Sequence, residues 1–155
     1  MKTIILYASK YGAAEEIAKR ISAKIDGSVI LNLKEALPAL EDFDSIIFGS
    51  SVYAGSIRKE AKTFLAKNAD VLLQKKLGLF LCGLGAESKD KYFNDNFSPE
   101  LLEKAKEKDF LGGIFDPKKA NGFERLIIKL ITKKSEYIDF VNDRKIEKFA
   151  ENMKA

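Results

Sequence analysis

Four short apolar runs recur along this chain, with amphipathic stretches between them, and this alternation restricts the fold more than any other feature. The runs cover residues 3–8, 28–33, 44–50 and 77–82. Continuous runs of this length are what strands buried on both faces require. Between the first two, Ala14, Ile17, Ala18, Ile21 and Ile25 fall on one helical face, Glu15–Lys19 and Glu16–Arg20 make i,i+4 pairs on the other, and Gly27 stops the helix. Ile57, Ala61, Phe64 and Leu65 mark the next helical stripe. Residues 83–96 read as a loop, glycine-rich and then polar. Ser98 caps and Pro99 opens a helix running through Leu101 to about residue 107. Residues 110–115 give a fifth strand, with Gly112 and Gly113 allowing close packing. Residues 121–134 and 142–153 form further helices, the second with Ile146, Phe149, Ala150 and Met153 on one face. Alternation over the whole length predicts a single α/β domain, residues 1–155: a three-layer, doubly wound, five-stranded parallel sheet with helices on both sides.

Composition then limits the chemistry. The chain has no histidine and one cysteine, Cys82. That excludes a Ser–His–Asp triad, a Cys–His pair, an HExxH zinc site, a cysteine-rich metal site and an internal disulfide. Any chemistry must come from carboxylates, lysines, tyrosines, hydroxyls or a borrowed cofactor, and the cofactor is the expectation. The net charge of +4 is too mild to signal nucleic acid. The first residues lack the form of a signal peptide and no window is apolar enough to span a bilayer, so a cytoplasmic protein is expected.

Ligands of such sheets gather beyond the carboxyl ends of the strands, where strand order reverses. Three loops with unusual composition leave those ends. The first is Ser9, Lys10, Tyr11, Gly12, Ala13 and Ala14; the second is Ser50, Ser51, Val52, Tyr53, Ala54 and Gly55; the third begins Gly83, Leu84 and Gly85. In the first, a glycine at a helix start turns backbone amides inward, which makes either a phosphate seat or an ordinary strand-to-helix turn. Tyr53 reads either as a ring-stacking residue or as a half-buried loop tyrosine, and Gly55 either as a conformational pivot or as a turn residue. Cys82 fits a small buried apolar residue better than a reactive thiol. Gly83-Leu84-Gly85 does not complete a GxGxxG fingerprint.

The strand followed by Ser9-Lys10-Tyr11-Gly12 resembles the flavodoxin signature, a hydroxyl-x-x-Gly-x-Thr loop holding the phosphate of flavin mononucleotide (FMN). The loop Gly49 to Gly55 resembles that family's flavin-contacting loop after the third strand, and Cys82-Gly83-Leu84-Gly85 stands where the family has its other ring-flanking loop. The resemblance in order and spacing covers nearly the whole chain. It implies strand order 2-1-3-4-5, FMN as cofactor, phosphate contacts from Ser9 to Ala14, and ring contacts from Ser50 to Gly55 and Gly83 to Gly85, with Tyr53 on the ring face. It also implies that Gly55 permits a backbone change bringing a carbonyl to the reduced ring, and that no side chain is a catalytic acid or base. The chain departs from the pattern at Ala14, where the family has threonine, and in being basic where many flavodoxins are acidic, so its redox partners should differ.

Gly112-Gly113, residues 125–131 and the final helix resemble the flavodoxin-like protoporphyrinogen dehydrogenases, which pass electrons to menaquinone and carry a basic insert after the fifth strand. The corresponding insert here is residues 116–136. Phe123, Leu126, Ile127, Leu130 and Ile131 form one apolar face, and Lys118, Lys119, Arg125, Lys129, Lys133 and Lys134 are opposed only by Glu124. A basic helix at 118–134 either lies on anionic lipid or an acidic partner, or packs on the sheet with a solvated cationic back. The sequence argues against a response-regulator module, because no acidic pair follows the first strand and the third ends in Gly49-Ser50 without a phosphorylatable aspartate. The expectation is an FMN redox protein serving a redox partner protein or a small acceptor such as a quinone, without nucleic acid. The alternative is a menaquinone-coupled protoporphyrinogen dehydrogenase.

Overall fold

The computed structural model describes residues 1–116, 118 and 137–155. Its elements run β1 (Thr3–Ala8), α1 (Ala13–Ser22), β2 (Val29–Asn32), β3 (Ser45–Tyr53), β4 (Ser56–Ile57), α2 (Lys59–Leu73), β5 (Lys76–Cys82), α3 (Lys89–Asn96), α4 (Pro99–Lys104), β6 (Glu107–Phe110), β7 (Ile114–Phe115), β8 (Ile138–Asp139) and α5 (Asp143–Lys154). The basic helix expected at 118–134 lies outside the described residues, apart from Lys118.

The main sheet has the order β2-β1-β3-β5-β6, with all neighbouring pairs parallel. Counted along the chain, these five strands give the expected order 2-1-3-4-5. β4 adds a short antiparallel hairpin to β3, and β7 pairs with β8 in a separate two-stranded sheet.

Side-chain alternation divides the core into two layers. Ile4, Leu6, Ile46, Phe48, Leu79 and Leu81 face α2, α3 and α4, where Phe64, Leu72, Phe93 and Leu101 meet them. Ile5, Tyr7, Ile47, Phe80 and Cys82 face α1 and α5, packed by Ile17, Ile21, Ile146, Phe149 and Met153. A Cβ added to Gly49 would lie 2.1 Å from the Phe80 ring, and one added to Gly78 would lie 2.8 Å from the Met153 sulfur. These two glycines give Phe80 and α5 their space against the sheet.

Two expectations need correction. The fifth strand is Glu107–Phe110 rather than residues 110–115. It is an edge strand whose outer amides are occupied locally: Lys108 N–H donates to Glu107 Oε1 and Phe110 N–H to Asp109 Oδ1. Its charged residues therefore protect the edge, although in sequence they read as the tail of a helix. Gly112, at φ 97°, turns the chain out of the sheet before β7. The second correction concerns residues 83–96, of which Lys89–Asn96 form α3, which buries Phe93 and stacks it on Phe97 at 5.7 Å.

Candidate cofactor site

The registers align three strand ends. Ala8 pairs with Ser50 and Ser50 with Leu81, so the loops after β1, β3 and β5 open from neighbouring positions on one rim. The chain passes from β1 outward to β2 on one side and from β3 to β5 on the other. The order therefore reverses between β1 and β3, where a doubly wound sheet leaves a crevice.

At the first loop, Gly12 takes φ 96° and precedes α1 without a side-chain cap. A left-handed backbone is cheap for glycine and costs other residues about 1–2 kcal/mol. Gly12 N–H donates to Ser9 Oγ over 2.8 Å, which closes the loop on itself. The amides of the first turn of α1 point out of the helix end, as they must when no side chain caps them. The positive end of the helix dipole adds to them. Glu15 and Glu16 in this turn would oppose an anion, but each is paired one turn on: Glu15 with Lys19 at 3.1 Å and Glu16 with Arg20 at 3.0 Å. Ala13 and Ala14 are buried in the α1 layer, so only their backbone is presented at the rim. Threonine's hydroxyl is thus absent where the family signature has it.

The second loop is a tight hairpin. Val52 pairs with Ile57 and Tyr53 with Ser56, leaving Ala54 and Gly55 as a two-residue turn with φ 51° and 79°. Two positive φ values are what a hairpin turn matching strand twist requires. Ser50 is buried; its hydroxyl donates to the Ser51 carbonyl and accepts from Arg58 N–H. The Ser51 hydroxyl is buried without a hydrogen-bond partner. Tyr53 is 42% exposed. Lys10 reaches across from the first loop, its ammonium 4.5 Å from the Tyr53 ring centre and 5.1 Å from that of Tyr11.

The third loop packs against the second. A Cβ on Gly83 would stand 2.9 Å from the Val52 carbonyl oxygen, and one on Gly85 would stand 2.7 Å from the Tyr92 hydroxyl. Gly83 N–H donates to the Gly112 carbonyl, tying this loop to the segment after β6. Cys82, beneath it, is fully buried, and desolvation pushes its thiol up to about 12, so it is an inert packing residue.

Sequence reasoning missed α3's part in this rim. Asn96 Nδ2 donates to the Gly55 carbonyl at 3.0 Å and to the Tyr92 carbonyl at 2.8 Å, while Asn96 Oδ1 accepts from Ile57 N–H at 3.1 Å. No motif marks such an asparagine. Two clefts lie elsewhere, about 420 Å³ beside Lys89, Phe93 and Leu102 and about 460 Å³ beside Leu37, Phe64 and Asn68. Neither is lined by a residue of the three loops.

An uncapped helix start, an unsatisfied buried hydroxyl and glycine-bordered turns lie together on one rim of this α/β domain. The chain belongs to the flavodoxin domain family, which residues 4–141 match. It is 33% identical over 84 residues to a flavodoxin of Clostridium saccharobutylicum, a match covering 50% of this chain and only 52% of that protein. In fold it is similar to the rubredoxin oxygen:oxidoreductase of Desulfovibrio gigas, with TM-score 0.64, 13% identity, and coverage of 98% of this chain and 35% of that one. It is also similar to a flavoprotein in complex with FMN from Lactobacillus acidophilus, with TM-score 0.53, 19% identity, and coverage of 72% and 90%. At these identities the structural likeness is one of fold. Among the described residues, no helix is long and apolar enough to cross a membrane.

Proposed function

We propose that this chain binds FMN at the three-loop rim and carries electrons between redox partners. Bound there, FMN supplies one- or two-electron redox chemistry that no side chain of this protein offers. Ser9, Lys10, Tyr11, Gly12, Ala13 and Ala14 hold the phosphate, Ala13 and Ala14 through backbone amides. Ser51, Val52, Tyr53, Ala54 and Gly55 border the ring on one side and Gly83, Leu84 and Gly85 on the other; Ser50 braces the second loop from beneath. The observation that carries this reading is the uncapped start of α1 at left-handed Gly12, level with the two other loops.

The net charge of +4 suits partners that present acidic surfaces. The finer reading, a protoporphyrinogen dehydrogenase delivering electrons to menaquinone at a membrane, draws on the basic stretch 118–134 and the resemblance of the C-terminal part. Nothing in the described residues adds to it, so the electron carrier is the reading we favour. The test is the visible spectrum of protein purified under mild conditions, or reconstituted with FMN and freed of excess. Flavin absorbance that co-elutes with the protein and bleaches with dithionite supports the proposal. A well-folded protein that stays colourless after reconstitution overturns it.

A further inference from the structure

We infer that the outer edge of β2 is a self-association surface, where a second copy of this chain pairs antiparallel about a two-fold axis at Ile30 and continues the sheet across both molecules. This goes beyond the FMN reading and does not depend on it. The two edges of the sheet are built differently. β6 occupies its outer amides with its own Glu107 and Asp109 carboxylates. β2 has none of the usual guards of an edge. Its four residues, Val29, Ile30, Leu31 and Asn32, include no charge and no proline, their register with β1 is unbroken by a bulge, and Val29 is 41% exposed.

The open backbone groups of this edge fit that axis. Leu33 N–H donates to the Tyr7 carbonyl, so by alternation Val29, Leu31 and Leu33 turn their backbone to β1, and Ser28, Ile30 and Asn32 turn theirs outward. Two of the outward groups are used locally: Ser28 N–H donates to the Ile25 carbonyl, and the Asn32 carbonyl accepts from Glu35 N–H. Among the described residues, this leaves Ile30 N–H, Asn32 N–H and the carbonyls of Ser28 and Ile30 without partners. Two identical edges closed by a two-fold axis run antiparallel. With the axis at Ile30, each Ile30 exchanges N–H and carbonyl with the partner's Ile30, and each Asn32 N–H meets the carbonyl of the partner's Ser28. Every open group is then satisfied. A slip of two residues either way sets an Ile30 group against one that is already bonded.

The side chains agree with this register. Leu31 and Leu33 pack on the α2 side of the core, a face that Val29 shares by alternation. Exposed Val29 then lies across from the partner's Leu31, in the closer, non-hydrogen-bonded kind of pair. Beyond the ladder, the axis brings Asp26 toward the partner's Lys34 and Lys24 toward the partner's Glu35, and all four are exposed. A four-residue edge buries less than the ~1,200 Å² at which stable interfaces begin, so the association is weak and depends on concentration.

The test follows the full chain and Val29→Lys by sedimentation velocity and amide exchange, from micromolar to millimolar protein. The wild-type mass is expected to rise from one chain toward two, with exchange at Ile30 and Asn32 slowing about tenfold while Leu31, bonded to β1, is unchanged. V29K sets a charge against the partner's Leu31 and is expected to weaken association about tenfold or more. A wild type that stays monomeric at millimolar concentration overturns the inference. So does a dimer in which Ile30 and Asn32 exchange as fast as in dilute solution, or one that V29K leaves unweakened. Slow exchange at both amides in a monomer overturns it too, since this chain itself would then cover the edge.

Discussion

The ammonium of Lys10 stands over the ring of Tyr53 at 4.5 Å, so that a residue of the loop after β1 touches a residue of the loop after β3. The contact spans the switch point of the sheet and brings a cation and an aromatic face to the place where a phosphate and a flat ring would each need a partner. An anion at the start of α1 competes with the aromatic rings for Lys10. Lys10→Met is expected to weaken FMN binding about threefold to tenfold, since a partly solvated lysine–phosphate contact contributes ~1 kcal/mol. Riboflavin, which lacks the phosphate, should bind the variant as it binds the wild type. Paired fluorescence titrations check this.

Tyr53 makes the complementary case. A ring stacked on another ring contributes about 0.5–1.5 kcal/mol beyond its buried area, so Tyr53→Ala should raise the Kd about twofold to tenfold for FMN and riboflavin alike. The same two titrations separate a ring contact from a phosphate contact. A loss confined to FMN would move Tyr53 away from the ring.

Gly12→Val acts on the backbone. Valine disfavours φ 96°, and its branches would crowd the amides of the first turn of α1. FMN affinity should fall more than tenfold, and the protein should lose about 1–3 kcal/mol of stability, read from a ligand titration and a urea melt of the variant. Unchanged affinity in a folded variant would remove this loop from the site.

The central strands were legible because residues 3–8 of β1, 45–50 of β3 and 77–82 of β5 are buried on both faces and mostly apolar. β3 runs on to Tyr53, beyond the expected residue 50, because the β4 hairpin extends its pairing past the apolar run. The edge strand was hidden for the opposite reason: Glu107, Lys108 and Asp109 have charges that serve an exposed edge, and strand pairing there is set by β5 rather than by local pattern. α3 was hidden because Lys89–Asn96 contains only Tyr92 and Phe93 as large apolar residues, too few to draw a helical stripe. The three rim loops were readable from glycine placement after strands. Asn96 was not, since its partners, Gly55 and Ile57, are 41 and 39 residues away in sequence.

The pH dependence of stability should carry the mark of Asp109. Burial pushes its carboxyl up, but hydrogen bonds from Lys89 Nζ at 2.8 Å and Phe110 N–H, with the nearby charges of Lys89 and Lys145, outweigh this and hold it below the ordinary 3.8. A carboxyl depressed in the folded state stabilises above its unfolded pKa and loses that contribution as pH falls through the folded value. Asp109→Asn should therefore cost about 1–2 kcal/mol near pH 7, and the gap to wild type should narrow as the pH is lowered below 4. Denaturant melts at a series of pH values check the trend.

Cys82 offers a test of packing beneath the third loop. With its thiol buried and pushed up to about 12, native protein at pH 8 should react with a thiol reagent at the rate of unfolding, whereas protein in denaturant should react at once. Rapid labelling of native protein would mean that the floor of the third loop is open.

The most direct measurement is the fluorescence of FMN titrated with protein stripped of flavin, run beside the same titration of riboflavin. The account predicts saturable binding of FMN, seen as a change in its emission, with a Kd clearly below that of riboflavin because the start of α1 holds the phosphate. FMN emission that stays unchanged as folded protein is added, confirmed by the absence of bound flavin after gel filtration, would contradict it.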